Sequence, residues 1–312
     1  MPNAIPRGRF VWHELMTTDP GAAIRFYGQV VGWSTEPFPS MPEYRLWKYG
    51  SRQVGGVMQQ SADDQRRGLP PHWLMYVAVP DVDATVRQAE ALGARVRVAA
   101  QSIPGVGRYA ILADPQGAVF SLYTPENPRA GSDEAELGDF SWHELATPDP
   151  AAAWQFYQAI FGWEKSQSMD MGPAGTYQMY RRGGGTTDLG GMYRKPAEMQ
   201  GPTAWLAYAR VRDADRSAAT VTRLGGRVLN GPMDVPGGGR IAMFVDPHGA
   251  VCAVHSVAAV AAPRPRTPAA KKRTAKRPAR AKRPARAKRP AGRKPAAKKR
   301  PARAKAKSRK RR

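Results

Sequence analysis

Two histidine–glutamate pairs stand at matching places in the chain: His13-Glu14 in FVWHELMTTDP and His143-Glu144 in FSWHELATPDP. Imidazole and carboxylate are common metal ligands and common general acids and bases. Both stretches read as strands, however, and neighbouring strand residues face opposite ways. One site therefore cannot use both members of a pair. Glu14 shares a face with Trp12, and Glu144 shares one with Trp142. Glu14 and Glu144 are the candidate acid/base or ligand-holding groups. A structural hydrogen bond or salt bridge, for example to an arginine such as Arg108 or Arg240, is the plainer role for the same two acids. His13 and His143 are expected to face a helix layer as polar core contacts.

These pairs belong to a longer duplication. The stretch from Phe10 to Trp33 recurs from Phe140 to Trp163, and PGVGRYAILADPQGAVFSL (104–122) recurs as PGGGRIAMFVDPHGAVCAV (236–254). Within each copy the pattern also restarts. FVWHELMT reads as a strand, Asp19-Pro20 opens a helix, and Ala23, Phe26, Tyr27 and Val30 fall on one apolar face of it. Short strands follow at 33–38, 44–49 and 53–58. HWLMYVAV begins again as a strand. Asp81 caps a second helix that ends at Leu92-Gly93, and strands follow near 95–98, 108–113 and 118–123. Strand, helix and three strands, performed four times, predict an α+β protein of two tandem domains. Each domain should have one sheet, with helices on one face and a cup on the other. The expected boundaries are 1–126, an acidic linker 127–139, 140–258, and a tail 259–312.

The formal charge of +24 sits in that tail. Of the 49 Lys and Arg, 25 lie between Pro263 and Arg312, with none of the 25 Asp and Glu, so the body is nearly neutral. Such a Lys, Arg, Pro and Ala segment cannot bury enough apolar area to fold alone, and it is expected to be disordered when free. Its repeated AKRPAR unit resembles histone H1-type C-terminal tails. Lys271, Lys272, Arg273, Lys276, Arg277, Arg280, Lys282, Arg283, Lys288 and Arg289 are expected to hold nucleic acid through phosphates, without regard to sequence. The single cysteine, Cys252, rules out an intramolecular disulfide. No apolar run reaches the roughly 20 residues of a membrane helix. A cytoplasmic protein is expected, nucleoid-associated if the tail binds DNA, and either monomer or homodimer.

Two βαβββ halves per domain, opened by WHEL…DP…FY…GW and closed by PG.GR…DP.GA, resemble the vicinal oxygen chelate superfamily of glyoxalases, bleomycin-resistance proteins and extradiol dioxygenases. The tandem arrangement is most similar to its 27 kDa antigen or glyoxalase/hydroxylase subgroup. The resemblance implies metal ligands on inward strand positions, the first seven residues before the helix-capping Asp and the last seven after the Asp of the DP.G turn. Those positions hold Trp12 and Trp142, then Ser121 and Ala253. The remaining ones fall near Leu74 and Leu206, and at Gly55-Gly56 and Gly190-Gly191. Indole and aliphatic groups have no lone pair for a metal. The expectation is a small-molecule binder with aromatic-rimmed cups lined by Trp12, Tyr76, Ser121, Tyr123, Trp142, Tyr208 and His255. No cofactor is expected, a divalent metal being the open alternative. The resemblance leaves a second reading, a glyoxalase- or hydroxylase-type enzyme (lyase or oxygenase) using a metal or the cup glutamate.

Overall fold

The computed structural model describes residues 5–128 and 131–257. The basic tail and its ten named cations lie outside the described residues.

The first copy contains β1 (Phe10–Thr17), α1 (Pro20–Val30), β2 (Ser34–Phe38), β3 (Met41–Tyr49), β4 (Arg52–Gln59), α2 (Ala62–Arg66), β5 (His72–Ala78), α3 (Val82–Ala91), β6 (Arg95–Ile103), β7 (Gly107–Ala113) and β8 (Val119–Pro125). The second contains β9 (Phe140–Thr147), α4 (Pro150–Phe161), β10 (Glu164–Asp170), β11 (Thr176–Arg181), β12 (Asp188–Arg194), β13 (Ala204–Arg210), α5 (Ala214–Arg223), β14 (Arg227–Val235), β15 (Gly239–Val245) and β16 (Val251–Val257). Asp19, Asp81, Asp149 and Asp213 each cap a helix by accepting a first-turn backbone N–H. Such a cap contributes about 1 kcal/mol.

Each copy makes one eight-stranded sheet. The orders are β2-β3-β4-β1-β5-β8-β7-β6 and β10-β11-β12-β9-β13-β16-β15-β14. The fold is α+β, as the sequence predicts. Only β1–β4, β5–β8, β9–β12 and β13–β16 pair in parallel. In every other pair the strands run antiparallel. The expected strand at 95–98 runs on to Ile103, opposite β7 and with two irregularities in register.

The two copies share their cores. Phe26 and Tyr27 of α1 pack on Phe244 of β15, and Phe156, Tyr157 and Phe161 of α4 surround Phe120 of β8. One buried apolar cluster thus joins the second half of the first copy to the first half of the second, and the other cluster joins the remaining halves. Polar ties repeat the exchange. Trp33 Nε1 donates to Gly138 O at 2.7 Å, and Trp163 Nε1 donates to Gly8 O at 2.7 Å. Trp73 Nε1 donates to the Tyr27 hydroxyl, which donates to Asp246 of the opposite copy's DP.G turn. Trp205, Tyr157 and Asp114 make the matching chain.

The linker is held as well. Asp133 accepts from Arg9 at 2.6 Å and from Arg182 at 2.8 Å. Arg52 pairs with Glu136 and Asp139. A stretch that reads as an acidic tether is therefore clamped at its described residues by arginines from both copies.

Candidate functional site

Strand register builds the floor of each cup. Gly56, Glu14 and Leu74 stand side by side on β4, β1 and β5, and Trp12, Tyr76 and Ser121 form the next row on β1, β5 and β8. In the second copy the rows are Gly191, Glu144 and Leu206, then Trp142, Tyr208 and Ala253. Paired residues share a face. The positions inferred from the family pattern thus come together on one surface, and the glutamates lie among them.

Each carboxylate is met by tyrosines. The Tyr76 hydroxyl donates to Glu14 Oε2 at 2.9 Å, and Tyr44, which accepts from Trp12 Nε1 at 2.8 Å, adds a second phenol. Tyr177 donates to Glu144 Oε2 at 2.9 Å and Tyr208 to Oε1 at 3.2 Å, with Tyr193 as a third phenol. Trp142 Nε1 supports Tyr177 at 2.7 Å, as Trp12 supports Tyr44. Burial raises the pKa of both carboxyls, against the pull of the phenol donors. Burial and the nearby acid raise those of Tyr44, Tyr76, Tyr177, Tyr193 and Tyr208.

Sequence reasoning missed Tyr44, Tyr177 and Tyr193. Tyr44 and Tyr177 reach the acid only because the neighbouring strand carries glycine. A β-carbon at Gly56 would take the place of the Tyr44 hydroxyl, and one at Gly191 would run into the Tyr177 ring. The available signal was a Gly-Gly pair in β4 and β12 with a tyrosine in β3 and β11 two residues before the second glycine's register partner. Gly55 and Gly190 serve a different contact, lying against the His13 and His143 carbonyls.

The other sequence candidates divide. Trp12, Tyr76, Trp142 and Tyr208 join the Glu–Tyr clusters. Tyr123 packs its ring on Tyr76, but its hydroxyl donates to Val106 O. Ser121 is fully buried and turns its hydroxyl to Ala110 O. His255 Nδ1 lies 3.0 Å from Ser141 Oγ and makes no contact with Glu144. The salt bridges considered for the glutamates do not form: Arg108 pairs with Asp83, and Arg240 pairs with Asp215 and Asp234. Both arginines are engaged by acids of the helix layer, Asp83 in α3 and Asp215 in α5.

His13 and His143 lie on the opposite sheet faces, between the copies. Their Nε2 atoms are 2.7 Å apart and both side chains are buried. Phe10 stacks on His143 at 3.6 Å and Phe140 on His13 at 3.9 Å. His143 Nδ1 faces Leu189 O at 3.1 Å, so that nitrogen carries the hydrogen. His143 Nε2 is then the acceptor and His13 Nε2–H the donor. Burial lowers the pKa of both imidazoles, that of His143 to about 3.

Among the described residues no three His, Cys, Asp or Glu side chains converge. Each cup offers one carboxylate among phenols and an indole, and the first adds the His72 imidazole near Glu14. A zinc or iron centre needs three or four donors at one point, and neutral phenol and indole N–H groups are hydrogen-bond donors. Among the described residues no helix is long and apolar enough to cross a membrane.

The comparisons agree with this architecture. Residues 12–123 match the model of a glyoxalase-like domain, and residues 140–254 match that of the glyoxalase/bleomycin resistance protein/dioxygenase superfamily. The chain is 34% identical over 250 residues to "Putative glyoxylase CFP32" of Mycobacterium tuberculosis, covering 78% of this chain and 92% of that one. It is 29% identical over 262 residues to the anthracycline biosynthesis protein DnrV of Streptomyces peucetius, covering 78% and 91%. In shape it matches the Mn(II)-bound glyoxalase of Novosphingobium aromaticivorans with a TM-score of 0.54 at 18% identity, over 81% of this chain and 82% of that one. Two matched domains and a relative aligned through both copies place the chain in the glyoxalase/bleomycin resistance protein/dioxygenase superfamily, to which it belongs.

Proposed function

We propose that the protein binds a small, partly aromatic molecule in its cups, by hydrogen bonds to the Glu–Tyr clusters and without a metal held by cup side chains. The observation that carries this reading is a carboxylate ringed by phenols in each cup, where among the described residues no group of three acid, imidazole or thiol side chains forms a metal site, His72 beside Glu14 being a single added imidazole. Half-buried Trp12 and Trp142 supply apolar walls beside it. A relative named for anthracycline biosynthesis is in keeping with an aromatic ligand. Native mass spectrometry of the purified protein tests the reading. Small-molecule adducts without metal are expected, and a stoichiometric metal retained through dialysis against chelator would overturn it. Glu14→Gln and Glu144→Gln should each weaken ligand binding at their own cup by about tenfold or more, the worth of a hydrogen bond to a charged group.

A second reading keeps the same residues but makes them catalytic. A carboxyl whose pKa burial has raised is suited to taking and returning a proton, as a lyase or hydroxylase requires. Turnover by wild type that Glu144→Gln abolishes, while binding survives, would favour it.

The tail is proposed to attach the body to nucleic acid. If about eight cations engage duplex DNA, the log–log salt slope should be near −7 and the same for unrelated sequences. A sequence-dependent affinity, or one unchanged when residues 259–312 are removed, would refute this role.

A further inference from the structure

Outside the cups, Asp133, Asp114 and Asp246 are satisfied in one of two ways. Asp133 is clamped by the guanidinium groups of Arg9 and Arg182. Asp114 and Asp246 gather the backbone N–H groups of their own turns, together with a tyrosine from the opposite copy. Glu144 has neither. It draws no backbone N–H, and what surrounds it is Tyr177, Tyr208 and Tyr193. Neutral phenols share a negative charge without cancelling it, and an uncompensated buried carboxylate is costly. Among the described residues the cup supplies Glu144 with hydrogen bonds and with no positive charge.

The walls are suited to supply the rest. Tyr177 and Tyr193, both hydrogen-bonded to the acid, lie stacked with ring centroids 5.8 Å apart, and Trp142 holds the Tyr177 hydroxyl. Aromatic faces attract cations, and a group of them beside an acid selects an ammonium over a neutral body of the same shape. The second cup is the better developed of the two. Glu14 is only 6% exposed, whereas Glu144 is half-buried. Tyr193 stands where the first copy has Met58, and Ile241 replaces the larger Tyr109.

We propose that the second cup takes an organic cation, a protonated or quaternary amine joined to an aromatic body, with Glu144 as its counter-ion and Trp142, Tyr177 and Tyr193 as its aromatic walls. The inference rests on the reading that the cups bind small molecules, and it names the ligand class. It also accounts for the tyrosines: they orient the carboxylate and hold it in place until the cation arrives.

A matched pair of probes tests it on the full chain: phenyltrimethylammonium and its uncharged isostere tert-butylbenzene, followed by ligand-observed NMR and tryptophan fluorescence. The ammonium is expected to bind at least about tenfold more tightly. Glu144→Gln should erase that preference. Tyr193→Met, the first copy's residue at that place, should weaken the ammonium alone. Equal binding of the two probes would overturn the cation inference and leave the binding reading standing. Binding of neither would remove both. Should the Gln variant fail to fold, wild type still decides, because a quaternary ammonium does not titrate. Its affinity should rise with pH as Glu144 loses its proton and then level off, and a flat profile would sink the proposal.

Discussion

The first copy, prepared alone as residues 1–138, is expected to give no folded monomer. Its Phe120 would lose Phe156, Tyr157 and Phe161, and its α1 would lose Phe244 and the α5 face carrying Ala218 and Val221. Emptying one buried aromatic site costs about 3–5 kcal/mol. Several such sites together exceed the roughly 5–15 kcal/mol by which a whole domain is stable. Because the two copies present equivalent surfaces, the fragment's one escape is to pair with itself, β1 against β1. Sedimentation should therefore show dimer or aggregate, and mixing with residues 139–262 should recover a one-to-one complex. A cooperative melt from a monomeric fragment, near the full protein's temperature, would refute the shared-core account.

Acid should weaken the protein through the histidine pair at that same junction. Burial, and for His13 the neighbouring His143, hold both imidazoles neutral in the fold, whereas the unfolded chain protonates near 6.5. The unfolded state thus binds more protons between those values. The stabilisation is complete above about pH 6.5 and is lost as pH falls toward the folded value of about 3 for His143. A fully shifted group contributes at most about 1.4 kcal/mol per pH unit, so His143 alone accounts for roughly 2 kcal/mol between about pH 6.5 and about pH 5, and His13 adds in the same direction. Glu14, Glu144 and Asp114 act in the opposite sense, since burial raises their pKa values and the fold takes their protons first. They offset part of the loss as pH falls through their range. Urea midpoints for wild type and a His13→Gln/His143→Gln pair separate the two effects. The double variant should lose most of the acid sensitivity, and identical pH slopes would show that the dyad carries none of it.

These effects bear on what the duplication is for. The FY…GW and DP.G motifs read as helix and turn punctuation within each copy. In the structure Tyr27 and Tyr157 leave their own copy to meet the opposite turn's Asp246 and Asp114. Trp33 and Trp163 likewise hook the segment that leads into the opposite copy's first strand. Sequence periodicity reports which face of an element is apolar and carries no label for the partner that covers it.

The sequence by itself determined the repeat, the four strand–helix–three-strand units, the capping aspartates, and the opposite faces of His and Glu on β1 and β9. Each is local: periodicity, capping and side-chain alternation operate within a few residues. It also determined that family ligand positions carry indole, glycine, leucine and hydroxyl groups. Only the tertiary structure decided that Tyr44 and Tyr177 cross over glycines to reach the glutamates, that the arginines proposed for those acids are taken by Asp83 and Asp215, and that the two histidines meet. Those contacts join residues about 25 to 130 positions apart, and which distant side chains meet depends on sheet register and on how the copies dock, a choice made by the packing of the whole core.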